Sequence, residues 1–164
     1  MGRSAGAYEG TLRAVVHALK YEGCEGLARP LAAIMRDRGA DVLRGADCVV
    51  PVPLHWRRQL RRGFNQADLL ARGLGLPVVR ALRRARATRA QFGLTPQARR
   101  GNVRGAFVPA RRSCLRRVAG ACVVLVDAVT TTGATLRECA DVLRRMGARE
   151  VRALTAARAL RTRP

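Results

Sequence analysis

The sequence is poor in several residue types. Six aromatic residues among 164 are too few for a platform that stacks successive bases. No apolar run approaches the ~18 residues that cross a bilayer, which excludes a helical membrane span. Cys24, Cys48, Cys114, Cys122 and Cys139 are odd in number and never form a Cys-x-x-Cys pair. Their spacing argues against a zinc ribbon or a disulfide framework and suits a reducing cytoplasm. Met1 to Gly10 carry no apolar stretch of the secretory kind, so export is not expected. Lysine is nearly missing, Lys20 being the only one.

Arginine is abundant instead. Thirty-two basic residues face eleven acidic ones, for a formal charge of +21. Such a surface favours anionic partners: nucleic acid, nucleotides or phosphate esters. The accompanying Ala, Gly and Val also match the imprint of a GC-rich genome, and both readings stand. With 48% hydrophobic residues, residues 1–164 are expected to form one domain with a real core.

Leu12, Val15, Val16 and Leu19 recur at helical spacing, and Leu27, Leu31, Ile34 and Met35 predict a second helix. Asp47 to Val50 reads as a strand stopped by Pro51-Val52-Pro53. Asn65 is placed to cap a third helix that runs to Gly73 with Leu69 and Leu70 inward, and a brief strand follows at Val78 and Val79. From Arg80 to about Gly105 arginines interrupt every apolar spacing. Residues 80–105 are therefore expected to be a long, mobile, basic loop, returning through a strand at Ala106 to Val108. Arg111 to Arg117 reads as a second basic connection.

The last third is plainer. Ala121 to Val126 is the apolar, β-branched run of a strand covered on both faces. A turn over Thr130 to Gly133 follows. Leu136, Cys139, Val142, Leu143 and Met146 then trace a helix ending at Gly147, and Val151 to Ala156 reads as the next strand. Strand, helix, strand in this order is a parallel crossover, so the fold class is α/β.

Ligands of open α/β sheets bind beyond the carboxyl ends of strands. Thr130-Thr131-Thr132-Gly133-Ala134-Thr135 lies there and opens a helix, where free amides and the positive dipole end favour an anion. Asp127 adds an acceptor for sugar hydroxyls. Together they describe a cradle for ribose 5-phosphate; the plainer alternative is threonines that cap a helix and an acid that ends a strand. No Gly-Lys-Ser/Thr follows the strand, and no Gly-x-Gly-x-x-Gly occurs.

The segment VVLVDAVTTTGATL, Val123 to Leu136, resembles the phosphoribosyl pyrophosphate (PRPP) motif of type I phosphoribosyltransferases. The chain is more narrowly similar to the ComF family of competence-related phosphoribosyltransferases. LKYEG at Leu19 to Gly23 and VVPVPLHWRRQLRRGFNQADLLA at Val49 to Ala71 support this, as do Thr88, Gln91, Leu94, Arg100, Asn102, Ala106 and Phe107 in the arginine loop. The resemblance implies a parallel sheet flanked by helices and a flexible basic hood over PRPP. It also implies that Thr130 to Thr135 hold the 5-phosphate and that Asp127 binds the ribose hydroxyls. Pro53, Leu54 and His55 would approach pyrophosphate, with Arg57, Arg58, Arg61 and Arg62 beside them. Arg58 is expected to hold pyrophosphate, and Arg62 to act in catalysis with Asp127.

Mg²⁺ would arrive with PRPP, with no metal site on the protein itself, and a nitrogen base would displace pyrophosphate. The family also implies a role in DNA uptake. The alternative is a non-enzymatic factor that binds single-stranded DNA or DNA-uptake proteins through its arginines.

Two departures from the family stand out. Its acidic pair reads Asp127-Ala128 here, and loss of one charge-assisted bond of roughly 1.5–3 kcal/mol is expected to weaken ribose binding about tenfold to a hundredfold. The cysteine spacing of the family's four-cysteine zinc module is also missing. His17 is expected to be structural or solvated. His55 fits an anion contact or a solvated loop, and Trp56 fits a core edge or a base stack.

Overall fold

The computed structural model describes residues 1–86 and 103–159, except the Arg58 side chain. Its centre is a four-stranded, all-parallel sheet in the order β1-β6-β5-β2. The strands are β1 (Gly2–Ala7), β2 (Cys48–Pro51), β5 (Cys122–Thr130) and β6 (Glu150–Arg158). Val78 extends the sheet beyond β2 through a parallel bridge to Val49. Parallel strands need crossovers, and the helices supply them: α1 (Gly10–Tyr21), α2 (Ala28–Arg38) and the short α3 (Ala40–Leu43) lead from β1 to β2. Next come α4 (Trp56–Arg62), α5 (Gln66–Arg72), a two-stranded pair of β3 (Leu82–Arg84) and β4 (Phe107–Pro109), and α6 (Ser113–Val118). Helix α7 (Ala134–Arg145) joins β5 to β6.

Alternation along β5 divides the interior into two cores. Val123 and Leu125 pack with Cys139, Val142 and Leu143 of α7 and with Leu82 and Phe107. Val124, Val126 and Ala128 face the other way, into Val16 and Leu19 of α1, Leu31 and Met35 of α2, and Leu70 of α5. Helices α2 and α5 approach so closely that a Cβ on Gly73 would stand 2.5 Å from that of Ala32. Any side chain at Gly73 would push the two helices apart.

The expected fold class and the crossover into β6 are present, and Asn65 caps α5, its Oδ1 accepting from the Ala67 amide at 3.1 Å. Several local expectations need correction. Ile34 is 49% exposed, because Ala28, Leu31, Ala32 and Met35 form the buried stripe of α2. Arg111 to Arg117 is mostly helix, since α6 buries Val118 while its arginines stay in solvent. Thr130 is the last residue of β5, still in register with Arg158, so the turn begins one residue later. The expected loop 80–105 contains a strand at its start, Leu82–Arg84, antiparallel to the returning Phe107–Pro109. Thr88, Gln91, Leu94, Arg100 and Asn102 lie outside the described residues.

Candidate functional site

A cleft of about 360 Å³ opens at the carboxyl ends of β2 and β5. Its floor is the end of β5, where Asp127 lies on the face opposite the side chain of Ala128. Beyond Thr130 the chain turns through Gly133 with φ 72°, a conformation that favours glycine, and α7 begins at Ala134. The helix dipole adds positive potential at this start. Thr132 serves the turn itself. Its Oγ1 accepts from the Ala134 amide at 3.4 Å, and its carbonyl accepts from Arg137 Nη2 at 2.7 Å.

Of the residues singled out from sequence, Thr130, Thr131, Gly133, Ala134 and Thr135 line this cleft together with Asp127, Pro53, Leu54 and Arg62. Two stretches far apart in sequence, 53–62 and 127–135, therefore meet. The Pro53-Leu54 turn is held in place by its neighbours: the Val52 amide donates to the Val126 carbonyl at 2.9 Å, and Asn65 Nδ2 donates to the Val52 carbonyl at 3.1 Å. Thr132 and His55 are not on the wall. His55 is 7% exposed and caps α4, its Nδ1 accepting from the Arg57 amide at 3.4 Å. The Arg58 side chain is outside the described residues. His17 is solvated in α1 and pairs with Glu22 at 3.1 Å. Trp56 is 57% exposed beneath the Arg57 guanidinium.

Arg61, expected beside pyrophosphate, lines the cleft too, and with it stand four residues the sequence reading did not assign there: Lys20, Tyr21, Gln66 and Arg84. Arg62 hydrogen-bonds Gln66 through Nη1, and its guanidinium lies 5.3 Å from the centre of the Tyr21 ring. Asp127 is the one carboxylate on the wall among the described residues. Burial raises its pKa above the ordinary aspartate value, while Lys20, the Ala128 amide and Arg84 pull it back. Its Oδ1 accepts from that amide at 2.7 Å. Burial likewise lowers the Lys20 pKa; Asp127 opposes this and Arg62 reinforces it. Ala128 is fully buried in the apolar core below, so no empty place for a second acid opens beside Asp127 in the cleft.

A larger hollow, about 640 Å³, adjoins this cleft and shares Pro53, Leu54 and Arg84 with it. Its buried acid, Asp68, is already engaged. Arg80 donates to its two oxygens at 2.7 and 2.9 Å, and Arg72 adds a third bond at 3.0 Å. No helix of eight residues or more begins on its wall. Among the described residues, no group of three His, Cys, Asp or Glu could hold a metal ion, and no helix is long and apolar enough to cross a membrane.

Residues 60–164 match the family model described as "Phosphoribosyl transferase domain". The chain is 40% identical over 142 residues to "Competence protein F" of Haemophilus influenzae, an alignment covering 81% of this chain and 60% of that protein. It is 35% identical over 157 residues to "DNA utilization protein YhgH" of Escherichia coli strain K12, covering 88% of this chain and 66% of the relative. The chain thus spans about 60% of the length of the Haemophilus protein. A solved glutamine PRPP amidotransferase from B. subtilis is similar at 26% identity and a TM-score of 0.49, over 78% of this chain and 25% of that one.

Proposed function

The chain belongs to the phosphoribosyl transferase domain family, in its competence-related ComF branch, and on that premise we propose that the cleft binds PRPP or a related ribose 5-phosphate. One observation carries this reading. The threonine-rich turn at the start of α7 and the Asp127 carboxylate line the same cleft, so a phosphate acceptor and a hydroxyl acceptor lie within one sugar's reach. The 5-phosphate would rest on the turn at Thr131, Gly133, Ala134 and Thr135, and Asp127 would accept from the ribose hydroxyls. Pyrophosphate would extend toward Pro53-Leu54 and the Arg62 guanidinium.

This arrangement suits transfer to a nitrogen acceptor. The bond from C1 to pyrophosphate breaks with its electrons leaving on the oxygen, and the acceptor's lone pair forms the new C1–N bond. Arg61, Arg62 and Lys20 line the side on which negative charge would collect. With a single carboxylate on the wall, the donor set fits Mg²⁺ that arrives on PRPP oxygens, not one caged by protein. Such an ion would supply further charge neutralisation on the leaving group.

Calorimetry with PRPP and Mg²⁺ tests the reading. Binding that disappears in Thr131→Asp supports it, and no binding by the unaltered chain refutes it. A second reading rests on the formal charge of +21 and on relatives named for competence and DNA utilization. In it the arginine surface binds single-stranded DNA or DNA-uptake proteins. Such binding would fall steeply with salt and be indifferent to Thr131→Asp.

A further inference from the structure

Among 32 basic residues this chain has one lysine, and that lysine lines the proposed ribose phosphate cleft. On a solvated surface lysine and arginine serve almost equally well, and there the chain uses arginine throughout. A site that needs a compact ammonium, or an amine able to lose its proton, cannot make that exchange, because a guanidinium is broad, planar and permanently charged. Lys20 is the penultimate residue of α1, directly after the fully buried Leu19, so its stem leaves from packed structure.

A neighbouring hollow of about 440 Å³ adds a second observation. Lys20, Tyr21, Arg61 and Arg62 belong to its wall as well as to that of the phosphate cleft, whereas none of the loop threonines does. Lys20 therefore stands where the two spaces meet, on one wall with Asp127 and the threonine-rich turn.

We propose that Lys20 contacts the bound ligand, its ammonium meeting an anionic ribose phosphate beside Asp127 at a position arginine cannot fill. This deepens the ribose phosphate reading above and rests on it. The balance of charges around the amine fits the role. Desolvation and Arg62 work against its proton and Asp127 favours it; Arg61 and Arg84 complete the charged wall. An arriving phosphate or pyrophosphate adds negative charge, which favours the ammonium form.

The test uses the full chain. Pyridoxal 5-phosphate, a phosphate-bearing aldehyde, condenses with an unprotonated amine with loss of water, and borohydride reduces the imine to a stable secondary amine. Peptide mapping then separates Lys20 from the amino terminus. We expect labelling at Lys20 and protection of at least tenfold by ribose 5-phosphate but not by ribose. Calorimetry should show Lys20→Arg binding ribose 5-phosphate at least tenfold more weakly, although its charge is kept. A merely structural counter-ion to Asp127 predicts the reverse: Lys20→Arg binding as the unaltered chain does, with no protection, which overturns the proposal. If ribose 5-phosphate fails to bind the unaltered chain but inorganic phosphate still protects Lys20, the ribose reading falls while the contact to an anionic ligand stands. Protection by no phosphate compound overturns the contact.

Discussion

Two carboxylates, each largely withdrawn from water, border adjacent hollows and are used in opposite ways. Asp68 is saturated: Arg72 and Arg80 occupy both its oxygens, and its hollow contains no long helix start. Asp127 accepts from one neighbouring amide and faces a helix N-terminus across an open cleft. Burial disfavours its charge, a cost that a structural acid would offset with a guanidinium partner. The contrast separates an acid bound into the fold from one that the proposed function gives to a ligand.

The strongest way to break this contrast is Thr131→Asp, which sets a carboxylate against the incoming phosphate. PRPP affinity should fall more than about a hundredfold by calorimetry, with the fold intact because an acid suits a helix start. Asp127→Asn should lower PRPP affinity about tenfold to a hundredfold. Since burial is the main influence on Asp127, the melting temperature should be unchanged or higher; a drop of several degrees would make Asp127 structural after all. Asp68→Asn should do the opposite. It should cost about 1–3 kcal/mol of stability in urea titrations while leaving PRPP affinity within about twofold.

Ligand-linked stabilisation sharpens the same difference. PRPP with Mg²⁺ at a hundred times its dissociation constant should add about 2.7 kcal/mol to the unaltered chain and to Asp68→Asn, and nothing to Thr131→Asp. The smallest effect belongs to an acid at neither site. Arg152, and then the Cys122 thiol, hold the Glu150 pKa down to about 2 from an ordinary 4.5. A depressed carboxylate pKa stabilises the fold above the unfolded value and loses that contribution as pH falls. Glu150→Gln should therefore remove only the part of the acid transition between about pH 4.5 and 2, followed by circular dichroism.

The elements legible in the sequence are those whose burial is written in local periodicity. Strand β5 is a run of apolar residues covered on both faces, and α7 repeats its buried positions every third or fourth residue. Strand β1 has no such mark. It is Gly2–Ala7, mostly small residues with Ala5 alone buried, and it is a strand because β6 offers it a ladder and Thr155 a side-chain partner for Ser4 at 2.7 Å. Strand β3 was hidden for a similar reason, since Leu82 is its only buried side chain and the pairing partner comes after a gap of more than twenty residues.

At the site, the threonine turn and Asp127 are adjacent in sequence and could be read together. Lys20, Gln66 and Arg84 reach the cleft from α1, α5 and β3, and no local pattern announces such a meeting. The one available signal was composition: a single lysine, within Leu19 to Gly23, in a chain that otherwise uses arginine.

The pairing of β1 with β6 also bears on how the molecule is made. Gly2 stands opposite Ala153, so β1 finds its ladder only when nearly all the described chain has followed it. Long-range parallel pairing of this kind slows folding, because much chain entropy is surrendered before the contacts form. Until β1 docks, β6 is left as a bare edge. The cleft at the ends of β2 and β5 takes no residue from β1, so its walls can assemble before that outermost strand docks.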